Sequence, residues 1–281
     1  MSIHVGELLR KTFTGWWNDR AMSMGAAITF YAIFSLAPML LVVIAVAGLA
    51  FGRDAATAAI VHQISILVGE KAASTVEALL VSAGNIGSGV VGTVIGIGTF
   101  LVFVTGAFVE LQDDLNIIWK AKRPAYSGAL VFLFNRLAGL ILIVAIGFLL
   151  FVSLTVDAAL AAASRYVAFY GLDTTLVVLN SCLALAASVL LFALIFKVLP
   201  STSVAWRDAW VGGAATGILF AVGKFLIGFY LGKIHLGSSY GAAASLISIL
   251  LWLYYSSQIL LLGAEFTRTY AELRRGDPLV E

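Results

Sequence analysis

The sequence is poor in charged residues, in cysteine and in histidine. Asp, Glu, Lys and Arg make up only 11% of the 281 residues, whereas a soluble domain carries about 25%. The single cysteine, Cys182, lies in an apolar run, which excludes a disulfide framework and a cysteine-ligated metal cluster. The three histidines, at positions 4, 62 and 235, are too scattered to suggest a metal-dependent nuclease centre. We therefore expect no catalytic residue set, no metal, no cofactor and no enzymatic activity.

Hydrophobic residues are the largest class in the sequence. They make up 61% of the chain, and the mean hydropathy is +1.03. No hydrophilic stretch is long enough for a soluble domain, so we predict an all-α polytopic membrane protein with a single membrane domain over residues 1–281. The apolar run that begins at residue 24 is too long for the core of a cleaved signal peptide, which we therefore do not expect.

Residues 24–50 form the first long apolar run, and they carry no charge. The run exceeds the roughly 20 residues that a helix needs to cross a bilayer. Tyr31 and Ser35 lie one helical turn apart on one face, and Pro38 follows. Because Pro lacks an N–H and its ring crowds the carbonyl of Phe34, we expect a kink at Pro38. A polar face and a kink indicate a helix that packs against protein as well as lipid.

Five further apolar runs predict five more spans. Residues 5–17 have an amphipathic pattern and predict a helix lying in the membrane interface. Residues 54–82 predict one or two amphipathic helices outside the membrane. The second helix should continue beyond its span through Glu110 to Trp119, and the sixth span should end at Glu265. The six predicted spans are 24–50, 89–109, 130–156, 175–199, 208–231 and 241–264.

The basic residues predict the orientation. Twelve of the 17 Lys and Arg residues fall on the side of the two termini, four fall on the other side, and Lys224 lies within a span. Because cytoplasmic loops are enriched in Lys and Arg, both termini are predicted to be cytoplasmic.

Two short glycine motifs resemble nucleotide and hydrolase signatures. Residues 87–92 match G-x-G-x-x-G, but they open a membrane helix and follow no strand. Residues 237–241 match G-x-S-x-G around Ser239, but a nucleophile elbow needs a strand before the turn. We interpret both as turns or packing surfaces.

Small residues recur at helix-packing spacing. Such pairs let membrane helices approach closely. We expect packing within the chain, with a dimer interface or a sliding gate as the alternative. The pairs are Gly92 with Gly96, Gly213 with Gly217, and Gly228 with Gly232.

Charged residues predicted to lie near membrane depth indicate function more strongly than the glycine pairs do. Their burial costs several kcal/mol unless they are paired or hydrated. Our hypothesis is a polar cavity facing the cytoplasm. The alternative is a set of salt bridges and snorkelling side chains that only anchor helix ends. The predicted cavity residues are Tyr31, Ser35, Glu110, Arg136, Lys197 and Glu265.

Lys224 and Tyr230 lie near the outer end of the fifth predicted span. Lys224 could extend outward to the headgroups. Alternatively, it faces the bundle as a cation for a carboxylate such as Asp157 or for a substrate headgroup. With Tyr230 it would then line the outer half of a pathway.

Several segments in order resemble one family, the YihY/BrkB family of bacterial inner-membrane proteins. The resemblance implies six spans, an inner-membrane location, and links by name to virulence, serum resistance and export of lipid or lipopolysaccharide precursors. The family's former ribonuclease label conflicts with the scattered histidines. The matching segments are FYAIFSLAP (30–38), LNIIW (115–119), KVLP (197–200), KFLIGFY (224–230), YGAAASLISILLWLY (240–254) and LLGAE (261–265).

These features predict a transporter or flippase-like permease for an amphiphilic or anionic solute, working by alternating access. That the solute is a lipid is implied only by the resemblance. The alternative is a non-transporting membrane scaffold or envelope assembly factor. We expect membrane lipids as partners and no nucleic acid, and the glycine-rich faces could support a homo-oligomer.

Overall fold

The computed structural model describes residues 5–68, 70–86, 90–121, 173–233 and 243–276. Within these ranges the regular elements are all helices, which confirms the all-α prediction there. The third predicted span, 130–156, lies outside the described residues. The helices are α1 (Val5–Asn18), α2 (Ala21–Phe51), α3 (Arg53–Val68), α4 (Glu70–Ile86), α5 (Val90–Ile118), α6 (Asp173–Val198), α7 (Trp206–Lys233) and α8 (Ala243–Arg275).

Three of the described helices contain segments long and apolar enough to cross a membrane. They are Ser181–Val198 in α6, Trp206–Ile227 in α7 and Leu246–Arg275 in α8. They correspond to the last three predicted spans, while α2 and α5 occupy the first two as helices. The count of six spans and the cytoplasmic placement of the termini stay predictions.

The chain forms two compact units. The first unit contains residues 1–19, 115–221 and 262–281, and the second contains residues 20–114 and 222–261. That the whole chain is a single membrane domain stays a prediction.

In the second unit, α2, α3 and α4 pack against one another. Gly52 separates α2 from α3 and has φ +86°, a conformation that glycine adopts without strain. Its N–H donates to the carbonyl of Gly48 at 3.0 Å, which closes the end of α2. The chain therefore passes from α2 into α3 through one residue.

Residues 54–68 and 70–82 are helical, as the pattern of this segment predicts. They form most of α3 and α4, and Ile60, Val76 and Leu80 are buried in one hydrophobic cluster. The same cluster contains Ile44 of α2 and Ile249 of α8. The amphipathic faces of α3 and α4 are thus used for packing against apolar helices. Their placement outside the membrane stays a prediction.

In the first unit, glycines bring α6, α7 and α8 close together. A Cβ added to Gly213 would lie 2.7 Å from the carbonyl oxygen of Val189, and one added to Gly217 would lie 2.8 Å from the Val189 side chain. Gly212 likewise lies against Thr267, and Gly263 lies against Thr216. The Gly213–Gly217 pair therefore serves packing within the chain, which was the preferred interpretation.

Helix α8 differs from its prediction. The sixth span was expected to end at Glu265, with the following residues as a tail, but α8 continues to Arg275. Thr267 and Ala271 are buried at helical spacing beyond Glu265, so the packed face of the helix continues. The extension of α5 beyond Glu110 is confirmed, since that helix reaches Ile118.

Helix α1 has two distinct faces. Leu8 and Thr12 are buried, and Gly15 lies against Glu265 of α8. A second stripe at intervals of four residues is exposed, and the exposed fractions are 66%, 53%, 61% and 69% for Val5, Leu9, Phe13 and Trp17. The helix that the sequence predicts is confirmed, and its location in a membrane interface stays a prediction.

Candidate functional site

The second unit contains three of the six predicted cavity residues. Tyr31 lies against Gly106 of α5, where an added Cβ would be 2.6 Å from its ring. Ser35 is buried, and its hydroxyl donates to the carbonyl of Ala32 at 3.1 Å. Glu110 is partly buried on α5. Tyr31 thus packs against α5, and Ser35 makes a hydrogen bond within its own helix.

The first unit contains two more of them. Lys197 donates from Nζ to the carbonyl of Val204 at 2.5 Å and stands 5.6 Å from the centre of the Trp206 ring. It closes the loop between α6 and α7, so its contacts fit the anchoring alternative. Glu265 is 1% exposed on α8. Arg136 lies outside the described residues, and a cavity lined by all six residues stays a prediction.

The residues of the predicted outer pathway are only partly described. Lys224 is exposed on α7, as expected if its side chain extends outward. Tyr230 and Pro38 lie within α7 and α2, but their side chains lie outside the described residues. The kink at Pro38 therefore stays a prediction.

The first unit contains a cavity of about 360 Å³ that sequence reasoning did not identify. Three segments form it: the chain after α5, the loop between α6 and α7, and the last turns of α8. Its lining residues are Trp119, Lys120, Ala121, Ser201, Thr202, Ser203, Ala271, Glu272 and Arg275. We call this the terminal cavity.

Local backbone geometry fixes the walls of the terminal cavity. Lys120 has φ +48°, which is uncommon for a residue with a side chain. It ends α5 in the left-handed conformation, and the N–H of Ala121 donates to the carbonyl of Asn116 at 2.9 Å. The Asn116 side chain accepts a hydrogen bond from the N–H of Ser201 at 2.7 Å, which holds the α6–α7 loop against the end of α5.

The lining of the terminal cavity combines positive charge, hydroxyl groups and apolar surface. Lys120 and Arg275 are cationic, and Glu272 is engaged by Arg268, whose Nε lies 2.5 Å from its carboxylate. Three hydroxyl side chains come from the loop, and the Trp119 ring lies at the same site. This combination suits an anionic group joined to an apolar body.

Beside the terminal cavity, one buried carboxylate is paired with two partly exposed arginines. Asp208, in the first turn of α7, is 0% exposed. Arg274 donates from Nη2 to Oδ2 at 3.0 Å, and its Nε lies 2.9 Å from Oδ1, close but not aligned for a hydrogen bond. Arg275 places Nη2 3.6 Å from Oδ2. We call these three residues the base-rich cluster.

A second buried ion cluster, further back along α8, is rich in acid. Arg268 is its cation, with Nε bound to Glu272. Its Nη1 lies 3.7 Å from Glu265 and 3.8 Å from Asp19, beyond hydrogen-bond distance. Three carboxylates therefore surround one guanidinium. We call these four residues the acid-rich cluster.

Asp114 is another buried carboxyl, on the part of α5 beyond the predicted second span. It is 4% exposed. Burial, together with a smaller contribution from the nearby carboxylates of Glu110 and Asp113, raises its pKa from 3.8 to about 7. The side chain therefore gains a proton close to neutral pH.

Sequence reasoning missed several of these residues. Asp208 and the paired arginines were readable in part, since an acid in the first turn of one helix and two bases in the last turn of another complement the helix dipoles. Glu265, Arg268 and Glu272 share one face by their spacing once α8 is known to continue. Asp19 carries no such signal, because only the fold brings the end of α1 to α8.

Comparison with known proteins gives one family match. A family model described as Virulence factor BrkB matches residues 12–279. A UPF0761 membrane protein of Rhodospirillum centenum is 27% identical over 275 residues, covering 96% of this chain and 58% of the relative. One of Ralstonia nicotianae is 32% identical over 190 residues, covering 66% of this chain and 41% of the relative.

A third relative gives the same picture. A UPF0761 membrane protein of Pseudomonas aeruginosa is 28% identical over 255 residues, covering 88% of this chain and 58% of the relative. The chain thus spans about half the length of the curated relatives that it matches. No solved structure matches this chain.

Proposed function

The chain belongs to the BrkB family of membrane proteins, as its resemblance indicated, and from this premise we propose that it is a permease for an anionic amphiphile. The terminal cavity is the observation that carries the proposal. It offers two cations, three hydroxyls and a Trp ring in about 360 Å³, which is the size range of a ligand headgroup site.

Lys120 and Arg275 have different roles in this proposal. Lys120 forms no ion pair within the described residues, so its ammonium is available to an anionic headgroup. Arg275 also lies near Asp208, and its guanidinium offers several N–H donors in a fixed plane for phosphate or carboxylate oxygens. The apolar part of the solute would extend along the helices into the bilayer.

In this proposal α7 moves relative to α6 during transport, away from the close packing that Gly213 and Gly217 allow in the structure. The sequence carries no ATP-binding signature, so transport would be passive, coupled to an ion, or driven by a partner. We place the protein in the bacterial inner membrane with both termini in the cytoplasm.

The test is translocation of a fluorescent anionic phospholipid in vesicles that contain the purified full chain. We expect faster translocation than in protein-free vesicles, and a loss of about tenfold in Lys120→Gln, which corresponds to about 1.4 kcal/mol of binding. Lys11→Gln is the matched control, because Lys11 is an exposed cation of α1 that pairs with Glu7 at 2.9 Å. Equal rates with and without the protein would refute the permease proposal for this class of solute.

A scaffold function is the second candidate, favoured by the exposed stripe of α1. Val5, Leu9, Phe13 and Trp17 present a continuous apolar surface, which suits a membrane surface or another helix. Absence of translocation by the wild-type protein, together with normal folding, would favour this candidate.

A further inference from the structure

Glu265 is the least solvated carboxylate of the acid-rich cluster. It is 1% exposed, and neither of its oxygens accepts a hydrogen bond from any donor in the described residues. An ionised carboxylate that is buried without donors is costly, by several kcal/mol even after the protein relaxes. Its state as a bare anion is therefore unfavourable.

Arg268 does not remove this cost. Its closest contact is with Glu272, and its Nη1 is shared at 3.7 Å and 3.8 Å between Glu265 and Asp19. With all groups ionised, the cluster would hold three negative charges and one positive charge. One proton on either of the two carboxylates that Arg268 does not bind closely would reduce this excess from two negative charges to one.

The groups around Glu265 come from two elements. On its own helix they are Arg268 and Glu272. From the end of α1 comes Asp19, whose Oδ2 lies 3.8 Å from the same Arg268 Nη1 that stands 3.7 Å from Oε2 of Glu265. Two ionised carboxylates are both acceptors, so they form a hydrogen bond only if one of them carries a proton. Oδ2 of Asp19 is also buried without a hydrogen-bond partner in the described residues.

Gly15 leaves little room for a larger counterion at this point. A Cβ added there would lie 2.6 Å from Oε2 and 3.0 Å from Cδ of Glu265. The carboxyl group is therefore held against the backbone of α1.

We propose that Glu265 and Asp19 form a proton-binding site, and that the shared proton holds α1 against α8. When the proton leaves, two adjacent carboxylates on separate elements repel one another in a poorly solvated place. The contact between α1 and α8 then weakens. This inference goes beyond the proposed function, because it concerns the resting protein with no transported solute.

The first experiment is infrared difference spectroscopy of the purified full chain during a pH titration. The background variant is Asp114→Asn, since Asp114 also titrates near neutral pH. We expect a protonated-carboxyl band that disappears as the pH rises, and we expect Glu265→Gln to abolish it. Asp208→Asn is the control that should leave the band unchanged, because Asp208 is held by two arginines.

A second variant tests whether the proton is shared. Asp19→Asn should retain the Glu265 band and shift its frequency and its midpoint, because a neutral amide replaces the partner carboxyl group. Glu265→Gln is nearly isosteric and can donate a hydrogen bond to Asp19, so it should fold. A band that persists in Glu265→Gln, or that Asp19→Asn leaves unmoved, would overturn the shared site.

Hydrogen exchange of the α1 amides tests the consequence for the helix contact. After correction for the intrinsic pH dependence, exchange of residues 5–18 should be about tenfold faster above the midpoint than below it, equivalent to about 1.4 kcal/mol. Glu265→Gln should keep α1 protected at both pH values. Protection that does not change with pH in the wild type would refute the link to α1. Because neither measurement involves flux, a failed translocation assay leaves this inference standing, and the reverse also holds.

Discussion

Helix α8 contributes to two ion clusters whose compositions are opposite, and each cluster contains a fully buried carboxylate. In the base-rich cluster one carboxylate, Asp208, meets Arg274 and Arg275. In the acid-rich cluster one guanidinium, Arg268, meets Asp19, Glu265 and Glu272. Each cluster buries charge, but they differ in which charge is in excess. The comparison distinguishes ion pairs that stabilise the structure, in the base-rich cluster, from carboxyl groups that can change their protonation state, in the acid-rich cluster.

Helix position explains part of the difference. Asp208 lies in the first turn of α7 and the two arginines lie in the last turn of α8, so both helix dipoles favour the observed charges. Glu265 lies within α8, away from either end, where the dipole provides no compensation. Arginine stays protonated over the physiological range, whereas a carboxyl group can gain a proton. Only the acid-rich cluster can therefore neutralise its excess charge by titration.

Removing the cation of the acid-rich cluster should produce the largest effect. Arg268→Gln leaves three carboxylates without a counterion, and we expect the free energy of unfolding to fall by about 3–5 kcal/mol near pH 8. At about pH 5 the loss should be much smaller, because the buried Glu265 can take up a proton. Thermal unfolding in detergent at the two pH values measures both.

The control for this prediction is an arginine variant in the other cluster. Arg275→Gln should show a loss that is similar at both pH values. An Arg268→Gln defect that is equal at pH 5 and pH 8 would mean that the carboxyl groups of the acid-rich cluster do not titrate.

Asp114 extends the comparison to a buried carboxyl that has no cation among its described contacts. Its pKa is raised from 3.8 to about 7 in the folded protein, so the folded state binds a proton that the unfolded state releases. Stability should then decrease with rising pH, by up to about 1.4 kcal/mol per pH unit between these two values. Between about pH 5 and pH 7 the expected loss is about 2–3 kcal/mol.

Asp114→Asn should remove this component of the pH dependence. The measurement is the unfolding midpoint of wild type and variant across the same pH range. A variant whose midpoint falls with pH as steeply as that of the wild type would show that Asp114 is not the titrating group.

These carboxyl groups mark what the sequence could and could not predict. The apolar runs were enough to predict the helices. They also identified Glu265 as a charged residue at the end of the sixth run. The sequence predicts that it lines a polar cavity, and that stays a prediction. What the sequence did not indicate is its buried position near Asp19, a residue 246 positions earlier in the chain. Local pattern identifies a charge near membrane depth. It does not identify the partner, because that contact is set by how α1 meets α8.

The terminal cavity is a second feature that the sequence alone could not predict. It is lined by the end of α5, the α6–α7 loop and the last turns of α8, three segments that are distant in sequence. The continuation of α8 to Arg275 was missed because charged residues interrupt the apolar run after Glu265. In the fold those charges pair with each other and with Asp208, and this pairing lets the helix continue.

A smaller effect is expected from the base-rich cluster. Asp208→Asn removes the charge and keeps the shape, leaving two arginines whose side chains are 31% and 42% exposed and can reach water. We expect a loss of about 1–2 kcal/mol that does not vary between pH 5 and pH 8, because no titrating group remains in the cluster. Unfolding midpoints at both pH values test this. A strongly pH-dependent loss would remove the distinction between the two clusters.

The smallest effect should come from an ion pair that is not buried. Glu7 and Lys11 on α1 lie 2.9 Å apart one helical turn from each other, and their side chains are 42% and 47% exposed. Water already stabilises both charges, so Lys11→Gln should change the unfolding free energy by less than about 0.5 kcal/mol. Raising the salt concentration should remove even that difference, because exposed charges are screened. If Lys11→Gln instead lowers the unfolding free energy as much as Asp208→Asn does, the loss of stability would not depend on how deeply the charge is buried. The excess charge of each buried cluster would then not predict its role.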